Sequence, residues 1–213
     1  MQDWSMRMIL VFVILALLYI IFSSMYRKVH QERLLKELQS LDFEAFDKDI
    51  RSTFTKLFFP LYMVEFMKLN RYIMADDTAM IKEQFQKLIR IARNKKQRYE
   101  IISMAFEHYV YEEDKEQSKN LLDTIDQGEN QGLKDHAHML YDILIDHKSN
   151  HISIMEEQFP QCTAQEKAIV GYLLAKQYRS LNNIKKAKYY EVFLDENIYI
   201  LQHRSFIDIK IIN

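Results

Sequence analysis

The stretch MILVFVILALLYIIFSSMY, Met8 to Tyr26, runs nineteen residues without a charge in a chain where 28% of residues are charged. As a helix rising about 1.5 Å per residue it would be roughly 28 Å long, close to the hydrocarbon thickness of a bilayer. Twelve of its positions are Leu, Ile, Val or Phe, which together favour insertion by about 5 kcal/mol. A core helix rarely runs this long without a polar face. A cleaved export signal would want small residues spaced as in A-x-A, whereas Phe22-Ser23-Ser24-Met25-Tyr26 offers a poor version. The stretch therefore reads as an uncleaved single transmembrane helix, with membrane contact through residues 8–26.

Orientation follows from the flanking cations, which stay on the cytoplasmic side. Arg7 precedes the stretch, while Arg27, Lys28, Arg33 and Lys36 follow it. A single-pass membrane protein with a cytoplasmic C-terminal body is expected. The net charge of −1 leaves no basic excess for nucleic acid. The lone Cys162 cannot form an internal disulfide and carries no nucleophile signature.

With only three Gly and two Pro in 213 residues, and apolar positions recurring at three and four, the chain reads as all-α. Leu34, Leu38 and Leu41 extend a helical stripe beyond the apolar stretch. A second helix is expected through Phe43, Phe46, Ile50, Phe54 and Leu57 after an Asp42 cap, and Pro60 opens the next. From there helices are expected in pairs: 60–74 with 78–93, 97–112 with 115–126, 133–147 with 151–159, and 164–181 with 183–197. Asp77, Asp114, Asn150 and Thr163 stand at N-cap positions, and Thr163-x-x-Glu166 is a capping box. Four segments result: tail and anchor 1–26, a juxtamembrane helical segment 27–59, repeats 60–197, and a C-terminal tail 198–213 folded over the end of the last pair.

Tyr72, Tyr109, Leu144 and Tyr178 align near the ends of the four first helices, at spacings of 37, 35 and 34, a period near that of a helical solenoid. In the last pair Leu174-Ala175, Tyr178, Asn182 and Ala187 fall in sequence, with Tyr190 beside Glu191. Ile102, Tyr109, Ser118, Leu122 and Ile125 mark the second pair, Leu140, Leu144 and Ser153 the third, and Phe66, Leu69, Tyr72, Phe85 and Leu88 the first. On these residues the chain resembles the tetratricopeptide repeat family over residues 60–197. The resemblance implies a right-handed α-solenoid of about four helix pairs, whose small residues let paired helices approach while aromatics fill the space between pairs.

The resemblance also implies a binding surface on the concave side, lined by the first helices. Projected onto this chain it nominates Glu100, Ser103, Glu107 and Tyr111, then Asp135, His138, Asp142 and Asp146, then Tyr172, Lys176 and Arg179. The acidic centre favours a basic protein or peptide partner. Of the residues that clamp chaperone carboxylates in the family, only Asn70 has a counterpart. No Gly-rich phosphate loop accompanies Gly128, Gly132 or Gly171, and no cofactor is expected. His138, Asp142 and Asp146 stand four apart on one helical face. They leave open a metal-dependent or acid–base enzyme, as well as a solvated face. The leading expectation is a membrane-anchored scaffold or adaptor without catalysis; a structural subunit of a larger membrane complex is a further alternative.

Overall fold

A computed structural model describes residues 2–195; the expected tail 198–213 lies outside the described residues. All regular structure among them is helical: α1 (Gln2–Gln39), α2 (Phe43–Ile50), α3 (Thr53–Phe58), α4 (Leu61–Met74), α5 (Thr78–Ile91), α6 (Lys95–Tyr111), α7 (Lys115–Asp126), α8 (Gln131–Leu144), α9 (Ile152–Gln158), a 3-10 turn at Phe159–Gln161, α10 (Ala164–Ser180) and α11 (Ile184–Asp195). Four of the five expected N-caps form where the sequence places them. Asp42, Asp77, Asp114 and Thr163 accept from Ala45, Met80, Gln117 and Glu166 N–H, and Thr163 with Glu166 completes its capping box. Asn94, Asn130 and Asn183 cap α6, α8 and α11 in the same way.

Five residues other than glycine adopt a left-handed backbone: Leu41, Asp76, Glu113, His147 and Asn182, at intervals of 35, 37, 34 and 35. Each follows a helix that is succeeded by another. In four of the turns the next residue donates its N–H to a carbonyl five positions back, Asp42 to Glu37, Asp77 to Tyr72, Asp114 to Tyr109 and Asn183 to Tyr178. That same Asp or Asn then caps the following helix. One residue thus closes the end of one helix with its backbone N–H and opens the next with its side chain, so three residues suffice to reverse the chain. A local turn of one kind thus recurs among the described residues. The α1–α2 turn belongs to the same series.

The third turn departs from the pattern. Asp146 N–H, just before the left-handed His147, bonds to Tyr141 O, and Lys148 N–H just after it bonds to Asp142 O six positions back. Seven residues, 145–151, separate α8 from α9 where the other left-handed turns have three, and Asn150 gives its side chain to Asp142 instead of capping α9. The seven-residue α9 packs on α10 and the 3-10 turn. Ser153, expected against its partner helix, is exposed in consequence.

The chain divides into two compact units, Met1–Ile91 and Ala92–Asn213. In the first, α1 packs on α2 and α3, and α4 packs on α2, α3 and α5. Leu34 and Leu38 are fully buried, joined by Phe46, Ile50, Val64, Met67, Leu69, Ile81, Phe85 and Leu88. The expected single helix through residues 43–57 is two. The chain breaks at Arg51–Ser52, where Ser52 caps α3 by accepting from Thr55 N–H. The break changes the phase, so Phe54 and Leu57 face outward and Thr55 inward. Leu41 is also exposed, in the left-handed turn rather than on the stripe. Buried Glu65 accepts from Gln84 and pairs with Lys68 and Lys87. Burial pushes its pKa up, and these partners outweigh burial to leave it lowered.

In the second unit α6 packs on α7 and α8, α8 on α7 and α10, and α10 on α9 and α11. The small residues Ser118, Ala175 and Ala187 are buried. Glu156 of α9 accepts from Tyr178 of α10 and from Tyr190 and Lys186 of α11 at 2.6, 2.9 and 3.0 Å. Buried Gln177 accepts from His151 N–H at the start of α9. These polar ties attach α9 to the last pair.

Candidate partner-binding face

The helices α6, α8 and α10 are consecutive first helices, and their side chains meet across one another. Glu107 of α6 lies 3.7 Å from His136 of α8. The rings of Tyr111 on α6 and Tyr172 on α10 are 6.0 Å apart. Lys176 of α10 bonds Glu113, just past the end of α6, at 2.6 Å and sits 5.6 Å over the Tyr172 ring. The left-handed turn at Glu113 brings its carboxylate to that point. The bond to Lys176 holds Glu113 below the usual carboxylate range. Burial depresses Lys176, but the bond to Glu113 outweighs it and the ammonium is stabilised.

Of the residues nominated from sequence, Glu107, Tyr111, Tyr172 and Lys176 thus share contacts among these three helices. Glu100 instead neighbours Lys96 one turn back on α6, and Ser103 is half-buried on the same helix. Asp135 accepts from Gln131 at 2.7 Å. Arg179 turns to Glu191 of α11. Asn70 is fully buried in α4, away from any surface a carboxylate could reach.

The acidic centre is not bare. Lys148, from the lengthened third turn, contacts Asp142 at 2.6 Å and Asp146 at 3.1 Å. Asp142 also accepts from Asn150, lies 3.4 Å from His151, and is half-buried rather than exposed as expected. Its burial raises the carboxyl pKa, while the Lys148, Asn150 and His151 contacts outweigh it and leave the group lowered. His138 turns to Asp126 at the end of α7, 2.8 Å away. His138, Asp142 and Asp146 therefore do not converge on one point, and among the described residues no group of three His, Cys, Asp or Glu side chains is placed to hold a metal ion.

Sequence reasoning missed Glu113, His136 and Lys148. Glu113 pairs with a residue 63 positions away, and no periodic or cap signal marks such a pairing. Paired tyrosines beside an ion pair suit recognition: each ring offers apolar area and a hydroxyl at little cost in side-chain freedom.

A second surface lies on α1. From Leu10 to Phe22 its large apolar side chains are 48–66% exposed. This helix is long and apolar enough to cross a membrane. The chain matches no family model, no curated protein and no solved structure.

Proposed function

We propose that this chain is a single-pass, membrane-anchored interaction module of tetratricopeptide-like helix pairs, which holds a protein partner at the cytoplasmic membrane surface. The observation that carries the reading is the continuity of α1. Its apolar half is exposed along its length among the described residues, and the same helix continues to Gln39 with His30, Gln31, Leu34 and Leu38 buried in the first unit. Cleavage near Tyr26 would cut this helix in mid-run and leave its buried half without a leading turn. An uncut α1 tethers the body directly to the bilayer, and the excess of Lys and Arg after residue 26 favours the cytoplasmic side.

The recurring turns at intervals of 34–37 residues support the repeat reading, and the row α6, α8, α10 supports a solenoid arrangement within the second unit. Its partner surface is the Tyr111–Tyr172 pair with Lys176, Glu113, Glu107 and His136. Such a mixed surface selects a partner segment with an apolar anchor and a compensating charge. The test is affinity capture from solubilised membranes with the wild type and with Tyr111→Ala plus Tyr172→Ala. The reading expects partners captured by the wild type to be lost with the double variant while its far-UV circular dichroism is unchanged. Equal capture by both proteins would move the binding surface elsewhere.

A further inference from the structure

α3 is built inside out for a protein in water. Its outward stripe is Phe54, Leu57 and, past the Phe59–Pro60 break, Leu61, which are 61, 65 and 55% exposed, with half-exposed Phe58 between them. Phe54, Leu57 and Phe58 stand at i, i+3 and i+4, the spacing of one apolar helix face. Thr55 turns inward: fully buried, it bonds His30 of α1 at 2.7 Å and donates to Asp49 O at 2.7 Å, while Thr53 and Lys56 are exposed. An exposed helix face made of Phe54, Leu57 and Phe58 is matched to an apolar medium.

Its location identifies the medium. Phe58 lies 6.3, 6.2 and 4.9 Å, ring to ring, from Tyr19, Phe22 and Tyr26 of α1, and Phe54 lies 6.0 Å from Tyr26. These partners are the last turns of the uncharged stretch, so the exposed face of α3 is continuous with the exposed face of that stretch. Tyr19 to Tyr26 spans about 10 Å of helix rise, which matches the depth of roughly 5–10 Å at which apolar faces rest in the headgroup and acyl boundary. Arg27, Lys28 and Lys56 are exposed beside it, where long cationic side chains reach lipid phosphates.

We infer that α3 is a second membrane contact: Phe54, Leu57 and Phe58 enter the boundary layer of the leaflet at which α1 emerges. The inference rests on α1 crossing the bilayer. With α1 fixed at one depth and α3 at the surface, the first unit gains a defined tilt to the membrane instead of swinging from a single tether.

The test uses the full chain with Cys162→Ala, reconstituted in phosphatidylcholine vesicles holding a minority of phosphatidylglycerol. Spin labels are placed singly by Phe54→Cys, Leu57→Cys, Leu15→Cys and Lys82→Cys, all at exposed positions. Collisions with oxygen, which partitions into lipid, are compared with collisions with a water-soluble nickel chelate. Labels at 54 and 57 are expected to favour oxygen, as the label at 15 does, while the label at 82 favours nickel. If 15 favours oxygen but 54 and 57 favour nickel, the second contact is refuted and the anchor stands. If 15 itself favours nickel, the anchor reading fails first. Shielding of 54 and 57 from both reagents, with dipolar broadening between chains, would show a second copy covering α3 and would also refute the lipid assignment.

Discussion

The two halves of α1 share one backbone and obey opposite rules. From Leu10 to Phe22 the side chains are apolar on every side and, among the described residues, stay largely exposed, with Phe58 touching Tyr19 and Phe22 at one edge. From Ser23 to Gln39 the burial follows a stripe, Ser23, His30, Gln31, Leu34 and Leu38, with charges on the remaining faces. The difference separates two uses of hydrophobicity. An all-round apolar helix is matched to a solvent, and a striped one to a neighbouring element. Tyr26 marks the change from one regime to the other within a single turn, and its ring stacks on His30 at 5.3 Å.

If that division is right, the same substitution must have unlike consequences in the two halves. The largest effect is expected from Leu34→Asp, which puts a carboxylate at a fully buried site. It should destabilise the first unit by at least about 4 kcal/mol, read as a lower denaturation midpoint in detergent. Leu15→Asp should leave that midpoint unchanged and instead weaken membrane insertion by about 3 kcal/mol, read by carbonate extraction. A lowered midpoint for Leu15→Asp would break the comparison.

A smaller loss is expected from His30→Ala, which removes one bond of the buried Thr55 hydroxyl while those to Asp49 O and Ser52 remain, and should cost about 1 kcal/mol. Leu18→Ala, on the exposed half, should change stability in detergent by less than about 0.5 kcal/mol. Chemical denaturation of both proteins checks the pair. Equal losses would show that the boundary near Tyr26 is misplaced.

The smallest effect is one of pH. Burial raises the Glu65 pKa and its Lys87, Gln84 and Lys68 partners lower it further than burial raises it, so the folded value lies below the ordinary 4.5. A group depressed on folding contributes stability above its unfolded pKa, and that contribution is lost as pH falls through the folded value. Stability of the first unit should therefore decline as pH drops below about 4.5, and Glu65→Gln should flatten the decline. Residues 8–26 contain no Asp, Glu, His, Lys or Arg, so membrane retention should be unchanged over the same range. Acid release of the intact, folded chain from membranes would contradict this contrast.

Legibility from sequence tracks the range of the interaction. Caps at Asp42, Asp77, Asp114 and Thr163 bond N–H groups three residues away, so residue type and spacing reveal them. The third turn was misread because Asn150, a good cap by type, is drawn off by Asp142, a competition that spacing does not encode. The outward face of α3 was misread for a similar reason: Ser52 breaks the helix, and the apolar stripe through Phe54 and Leu57 then points away from the core. On the candidate partner face, four nominated residues come together because helical period orients them. Their partners Glu113 and His136 depend on how three helices pack, and no local pattern in the chain carries that information.

The central claim is that α1 is one uncut helix serving both as bilayer anchor and as part of the folded body. Its most direct test is the intact mass of the chain recovered from carbonate-washed membranes of cells expressing it. The account predicts the full-length mass in the membrane fraction. A shortened chain beginning near Tyr26, recovered in the soluble fraction, would contradict it.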